Sequence, residues 1–414
     1  MNRVLGSTLL LAGTAIGAGM LGLPLVLAKV GLIPATIILM ITWCSVYYSA
    51  LASATLALRS GQAVSIGTLA GLLGENKSRK VILERICQGG MLLMTYALMV
   101  AYLSGGASIL QNLAGGESVI TTGTALNGFA LFLLFVLVLG THCIASINRL
   151  LFYGLIGALS IIIVGIGGHL TGEGLPHFGD HLDQFSTWTL LLPILFASFG
   201  FQLTIPSVIS YLNLDAKAIR KSIFWGSLIP VGVYGLWIFV TLSIIHQSDP
   251  AAYSQMTHEG HDVGTFIAEI SRVTQWPGLH SLSWIVSILA IITSAIGVGL
   301  GIKSFWKEKI TTSPVAAKLL GSPRFGALMM GLTVVGIPYC ISLFLKDAFM
   351  QSLAFAGMIL VTLALLIPLY LLYKSDYLES KPIYEIIGNQ PLRIVMFLFG
   401  VIILLSEILN IFVL

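Results

Sequence analysis

Charge is what this sequence has least of. Only 9% of its 414 residues are Asp, Glu, Lys or Arg, against roughly 25% in an ordinary soluble domain. So few charges cannot clothe a globular surface in water. Cysteine is also scarce. Cys44, Cys87, Cys143 and Cys340 lack the spacing of a metal site or a disulfide framework, and read as small apolar packing residues. No phosphate-cradling glycine loop, zinc-protease helix or nucleophile elbow occurs. Nothing in the spans supplies a nucleophile, metal set or acid–base pair, so an enzyme is not expected.

What the chain has instead is apolar length. Hydrophobic residues make up 57% of it, gathered into eleven stretches: 4–31, 33–58, 86–112, 123–142, 148–169, 187–211, 218–245, 281–303, 325–345, 350–373 and 393–413. About 20 apolar residues cross a bilayer. The expectation is an all-α integral membrane protein with one domain over 1–414 and eleven spans. The first stretch is too long for a signal-peptide core and no cleavage-like site ends it, so it should remain as a span. With the N-terminus in the cytoplasm, only Lys29, Arg272 and Lys346 of the 21 Lys and Arg fall on the far side. This bias sets the orientation by the positive-inside rule and puts the C-terminus outside. It also accounts for the net charge of +4 without a nucleic-acid partner.

Two spans are interrupted. The first holds Gly13-Thr14-Ala15-Ile16-Gly17-Ala18-Gly19 and the sixth Phe196-Ala197-Ser198-Phe199-Gly200-Phe201, flanked by Pro193 and Pro206. Hydrocarbon cannot solvate free backbone groups, so a break at membrane depth must line protein or a water-filled cavity. Glycine and proline both weaken helix at these points. Spans 1–5 (about 4–170) and 6–10 (about 187–373) each cross an odd number of times, so the second set is inverted relative to the first. Paired breaks in corresponding spans point to a transporter's binding site. Span 11 (about 393–413) lies outside the repeat. At the first break, free N–H groups opening the outer half-helix suit a carboxylate, and free C=O groups ending the inner half suit an ammonium group or a cation. Close packing through the Gly13/Gly17 GxxxG pair is the alternative.

Other polar groups are few. Span 3 offers Tyr96 and Tyr102 with Ser104 and Gly105, span 8 offers Thr293 and Ser294, and span 10 offers Gln351, Ser352 and Phe355. Buried hydroxyls often bond their own helix. Glu407 is the one ionisable group deep within a span and reads as protonated or paired. Seven of eight histidines lie on the external side. His258 and His261 have metal-like spacing without a supporting frame. In the external loop 246–280, Asp262–Val273 has the pattern of a short amphipathic helix, either a plain surface helix or a cap on an outer vestibule. Loop 59–85 is basic and has room for short helices.

The runs GSTLLLAGTAIGAGMLGLP (Gly6–Pro24) and FASFGFQLTIPSVISY (Phe196–Tyr211) resemble spans 1 and 6 of the hydroxy/aromatic amino acid permease family. The tyrosine-specific members stand nearest and the tryptophan permeases next. Chain length, eleven spans and the Tyr96-Ala97 and Ala101-Tyr102 pairs agree. This resemblance implies the amino acid/polyamine/organocation superfamily, the leucine-transporter-like 5+5 inverted-repeat fold, and proton-driven uptake of aromatic amino acids across the bacterial inner membrane. There are two departures. A lysine implied in span 5 after an Asn-Arg pair is absent, since Asn148-Arg149 is followed by Leu150-Leu151-Phe152-Tyr153. Gln202 stands where a histidine is implied.

The expected activity is import of tyrosine, and also of tryptophan and phenylalanine, by proton symport with alternating access. Expected substrate-binding residues are Ala12, Gly13, Thr14, Gly17, Ala18, Gly19, Tyr96, Phe196, Phe199, Phe201, Gln202, Ser294 and Phe355. The carboxylate is assigned to N–H groups of Gly17, Ala18 and Gly19, and the ammonium to carbonyls of Ala12, Gly13 and Phe196. The ring is placed among Phe199, Phe201, Tyr96 and Phe355, with Gln202 or Ser294 for a tyrosine hydroxyl. Thr293 and Ser294 match hydroxyls that hold sodium in relatives of this fold, so sodium coupling, or another neutral amino acid, is the alternative, with a channel or membrane enzyme further off. No cofactor, catalytic residue or obligate protein partner is expected beyond the lipid bilayer.

Overall fold

A computed structural model describes residues 3–62, 77–139, 141–259, 262–274, 277–311, 323–345, 348–375 and 383–412. Every apolar stretch has become helix, and among the described residues there is no strand. The first stretch is split into α1 (Arg3–Ala15) and α2 (Gly19–Leu27), which are bent by 55°. Next come α3 (Leu32–Ser60), α4 (Lys77–Leu113), α5 (Thr122–Val138) and α6 (Thr141–Gly167). The sixth stretch is α7 (Phe185–Ser198), a 3-10 turn (Gly200–Thr204) and α8 (Ile205–Tyr211). There follow α9 (Ala216–Ser248), α10 (Pro250–Glu259), α11 (Val263–Val273), α12 (Pro277–Thr311) and α13 (Pro323–Ser342). The chain ends with α14 (Ala348–Val361), a π-helical turn (Thr362–Leu366), α15 (Ile367–Ser375), α16 (Glu385–Gly388) and α17 (Gln390–Phe412).

Seven described helical segments are long and apolar enough to cross a membrane, and the bent pair α1–α2 makes an eighth if it is one span. The shorter apolar segments are α5, α7 and residues Leu328–Ser342 of α13. Large apolar side chains point outward along many of these helices, for example Leu131 and Phe135 on α5. Such faces suit hydrocarbon and would be a liability in water. α17 shows this most plainly: Gly400, Ile403, Ser406 and Glu407 face inward, while Ile394, Val395, Leu398 and Ile402 are exposed.

The two broken segments sit together. α2 packs on α7, and α1 packs on α9 and on the 3-10 turn. α14 lies across both α4 and α7, and α12 lies against α4 and α6. Pro206 occupies the first turn of α8, where a missing N–H leaves no bond unmade. Pro193 lies inside α7, and its carbonyl would stand 2.0 Å from a Cβ on Gly357. Only a glycine lets α14 approach that closely.

Some expectations change. The fifth helix begins at Thr141 rather than 148, and the eighth stretch runs on to Thr311. Cys87 is buried, but Cys44 and Cys340 are exposed. Lipid tails are as apolar as a protein interior, so a thiol on an outer face needs no packing role. The expected amphipathic helix forms as α11, capped by Asp262 through the Thr265 amide at 2.8 Å. Its Phe266, Ile267 and Ile270 are buried against the bundle. Residues 63–76 of the basic loop, together with His261 and Trp276, lie outside the described residues.

Candidate functional site

The first break is a change of hydrogen-bond register. Ile16 N–H still reaches the Ala12 carbonyl at 3.0 Å, but the next amides leave the helix. Ala18 N–H turns to the Ser294 hydroxyl of α12 at 2.8 Å, and Ser294 lies beside the Tyr102 phenol of α4. Among the described residues the Gly17 and Gly19 amides have no hydrogen-bond acceptor, and no side chain caps the start of α2. A helix start carries partial positive charge, and free amides at such a start suit an anion. On the other side of the break, Gly13 and Thr14 carbonyls lack the backbone donors that regular helix would supply.

Small side chains are obligatory here. A Cβ on Gly17 would lie 2.3 Å from Ser294 Oγ, and one on Gly19 3.0 Å from the Ser198 Cα. Ser198 closes α7. Its hydroxyl donates to Ile194 at 2.9 Å and lies 3.3 Å from the Gly19 carbonyl. The two breaks therefore touch each other.

Tyr234 of α9 binds them more firmly. Its hydroxyl lies 2.7 Å from the Ala15 carbonyl and 2.6 Å from the Ser198 carbonyl. Its ring meets Phe199 edge-on at 5.3 Å. Sequence reasoning passed over Tyr234. The available signal was a phenol in mid-span between Gly232 and Gly235, since a buried phenol hydroxyl almost always finds a partner.

A family model for tryptophan/tyrosine permeases matches residues 1–407. The chain belongs to the tryptophan/tyrosine permease family. It is 30% identical over 406 residues to tyrosine-specific transport system 1 of Haemophilus influenzae, covering 97% of this chain and 96% of the relative. It is 26% identical to a tryptophan-specific transport protein of Pseudomonas aeruginosa, over 96% and 92% of the two chains. Glutamine transporter 2 of Aliivibrio fischeri is 27% identical over 98% and 99%. This permease is thus a membrane transporter and not an enzyme.

The remaining expected positions divide. Phe196, Phe199 and Phe201 are fully buried around the second break. The Phe196 carbonyl already accepts Phe199 N–H at 3.2 Å. The Gln202 amide nitrogen reaches back to α3, to the Val46 carbonyl at 3.2 Å and the Ser49 hydroxyl at 3.4 Å. Its Oε1 is buried with no donor. Tyr96 has partners outside the breaks, accepting from Trp306 Nε1 at 3.0 Å and donating to the Thr333 carbonyl at 3.2 Å. Six residues separate it from Tyr102, about 9 Å along the helix. Phe355 lies partly buried on α14, which packs on α4 and α7.

The Thr14 and Thr293 hydroxyls are spent on their own helices, at 2.7 Å to Leu10 and 2.8 Å to Leu289. Where a lysine of span 5 was implied, α6 presents Phe152, whose ring carbon would stand 3.1 Å from a Cβ on Gly13. An apolar ring thus covers that flank of the first break. Glu407 is buried and accepts from Asn410 at 3.3 Å. No cluster of three metal-ligating side chains occurs among the described residues.

Proposed function

We propose that this permease imports aromatic amino acids, tyrosine first among them, by proton symport across the bacterial inner membrane. It would use a leucine-transporter-like 5+5 inverted repeat, with eleven crossings, the N-terminus inside and the C-terminus outside. The observation that carries the substrate reading is the first break, where an unfilled amide end of α2 faces the carbonyl end of α1. A zwitterion has the two charges such a gap fits. The carboxylate is assigned to the Gly17 and Gly19 amides. The ammonium goes to the end of α1, where the Gly13 carbonyl has no backbone donor. The ring goes beside Phe199 and Phe201. Gln202 Oε1 is the acceptor offered to a tyrosine hydroxyl, since it is buried and lacks a donor. The similarity to proteins named as tyrosine and tryptophan transporters supports the substrate class.

Proton coupling is the coupling the family resemblance implies, and sodium held by the Thr293 and Ser294 oxygens is the alternative. Thr293 donates to its own helix, which leaves its oxygen lone pairs open, and Ser294 accepts from Ala18 N–H. A second reading, a smaller neutral amino acid, is favoured by the relative named as a glutamine transporter. Competition separates the two. Unlabelled tyrosine, tryptophan and phenylalanine should each suppress labelled tyrosine uptake, and glutamine should not. Uptake of labelled glutamine with no uptake of labelled tyrosine would replace the aromatic reading with the second.

A further inference from the structure

Two helices end on one hydroxyl. Ala15 is the last residue of α1, and Ser198 is the last residue of α7. Helix C-termini carry about half a negative charge each. Brought together in an apolar interior these carbonyls repel each other, and an interposed O–H removes the conflict. The Tyr234 phenol does this from a third element, fully buried, with its ring fixed against Phe199. The helix bearing it packs along both α1 and α2, so its hydroxyl is held at a set depth. A single O–H proton serves two acceptors, so the bridge breaks when either helix end moves away.

We propose that Tyr234 is a positioning residue of the transport site, its hydroxyl fixing the spacing between the two broken helices. By setting where α1 ends, it sets the gap between that carbonyl end and the Gly17 and Gly19 amides. This rests on reading the breaks as the amino acid site. The bridge itself is a structural claim that can be tested without a substrate.

Tyr234→Phe keeps the ring against Phe199 and removes the bridge. Labelled tyrosine uptake by this variant should show an apparent KM raised about tenfold or more, at equal amounts of inserted protein. Replacing Tyr234 with 4-aminophenylalanine restores a donor at the same place and should bring KM back to within about threefold. In parallel, spin labels at Leu5 and Phe185, both exposed, report the α1–α7 distance in nanodiscs. The distribution should be narrow with tyrosine or 4-aminophenylalanine at 234 and broadened or shifted with phenylalanine. An unchanged distance in Tyr234→Phe, or lost uptake that the amine does not restore, overturns the proposal. If the unsubstituted protein moves no aromatic amino acid while the Tyr234→Phe distance broadens, the substrate reading falls and the bridge stands.

Discussion

Gly17→Ala tests the first break at the scale of one methyl group. The added Cβ would lie 2.3 Å from Ser294 Oγ but 3.6 Å from Ser294 Cβ. The overlap is with the hydroxyl alone, and rotating that hydroxyl away relieves it. Rotation breaks the 2.8 Å bond from Ala18 N–H. A buried amide left without a partner costs roughly 1–3 kcal/mol. At 1.4 kcal/mol per tenfold, that is about 5- to 150-fold in apparent affinity. The assay is the concentration dependence of labelled tyrosine uptake, normalised to inserted protein, in a double-mutant cycle with Ser294→Ala. Removing Oγ removes the clash, so Gly17→Ala should cost little more once Ser294 is alanine. Contacting residues show such non-additivity. Wild-type affinity in Gly17→Ala, or the same loss in both backgrounds, would refute the reasoning.

Gln202→Leu should lower the preference for tyrosine over phenylalanine more than it lowers total transport, because a site that bonds a hydroxyl discriminates by leaving a polar group unpaired without it. An unchanged ratio in paired uptake assays counts against Gln202. Glu407→Gln should keep gradient-driven uptake near the wild-type level, since the Asn410 contact gives Glu407 a local partner on the peripheral α17. Uptake that no longer responds to the proton gradient would make Glu407 the proton carrier instead. In the segment between α9 and α11, the Ala252 amide and the Arg272 guanidinium beside Asp249 hold its carboxyl below the usual carboxylate range. A group with a depressed folded pKa stabilises above its unfolded value, and that contribution disappears as pH falls through the folded value. The Asp249–Arg272 tie between α10 and α11 should therefore hold at neutral pH and loosen only in strong acid. Hydrogen exchange of α10 and α11 should lose this acid dependence in Asp249→Asn. Identical acid profiles would contradict the assignment.

The helices and both breaks were legible because membrane physics writes them in composition. Unbroken apolar length marks a span, and the Gly13–Gly19 run and the Pro193/Pro206 pair mark where helix cannot continue. Partners across the bundle were not legible. Tyr234 meets Ala15 from 219 residues away, and no periodicity carries that pairing. Of the two span-3 tyrosines, Tyr102 lies beside Ser294 while Tyr96 accepts from Trp306. Which one faces the break depends on how α4 is rotated against α12. Gln202 reads in sequence as a free amide. The 3-10 turn aims its nitrogen at α3 and leaves only the oxygen over. The missing span-5 lysine was visible in the sequence, but that Phe152 covers Gly13 in its place was not.

The most direct test of the central claim is labelled tyrosine accumulation in proteoliposomes holding the purified protein, with inward proton and sodium gradients imposed separately. The account predicts concentrative uptake under the proton gradient alone, abolished when that gradient is collapsed. Uptake that requires sodium would contradict the coupling, and no tyrosine uptake under either gradient would contradict the substrate.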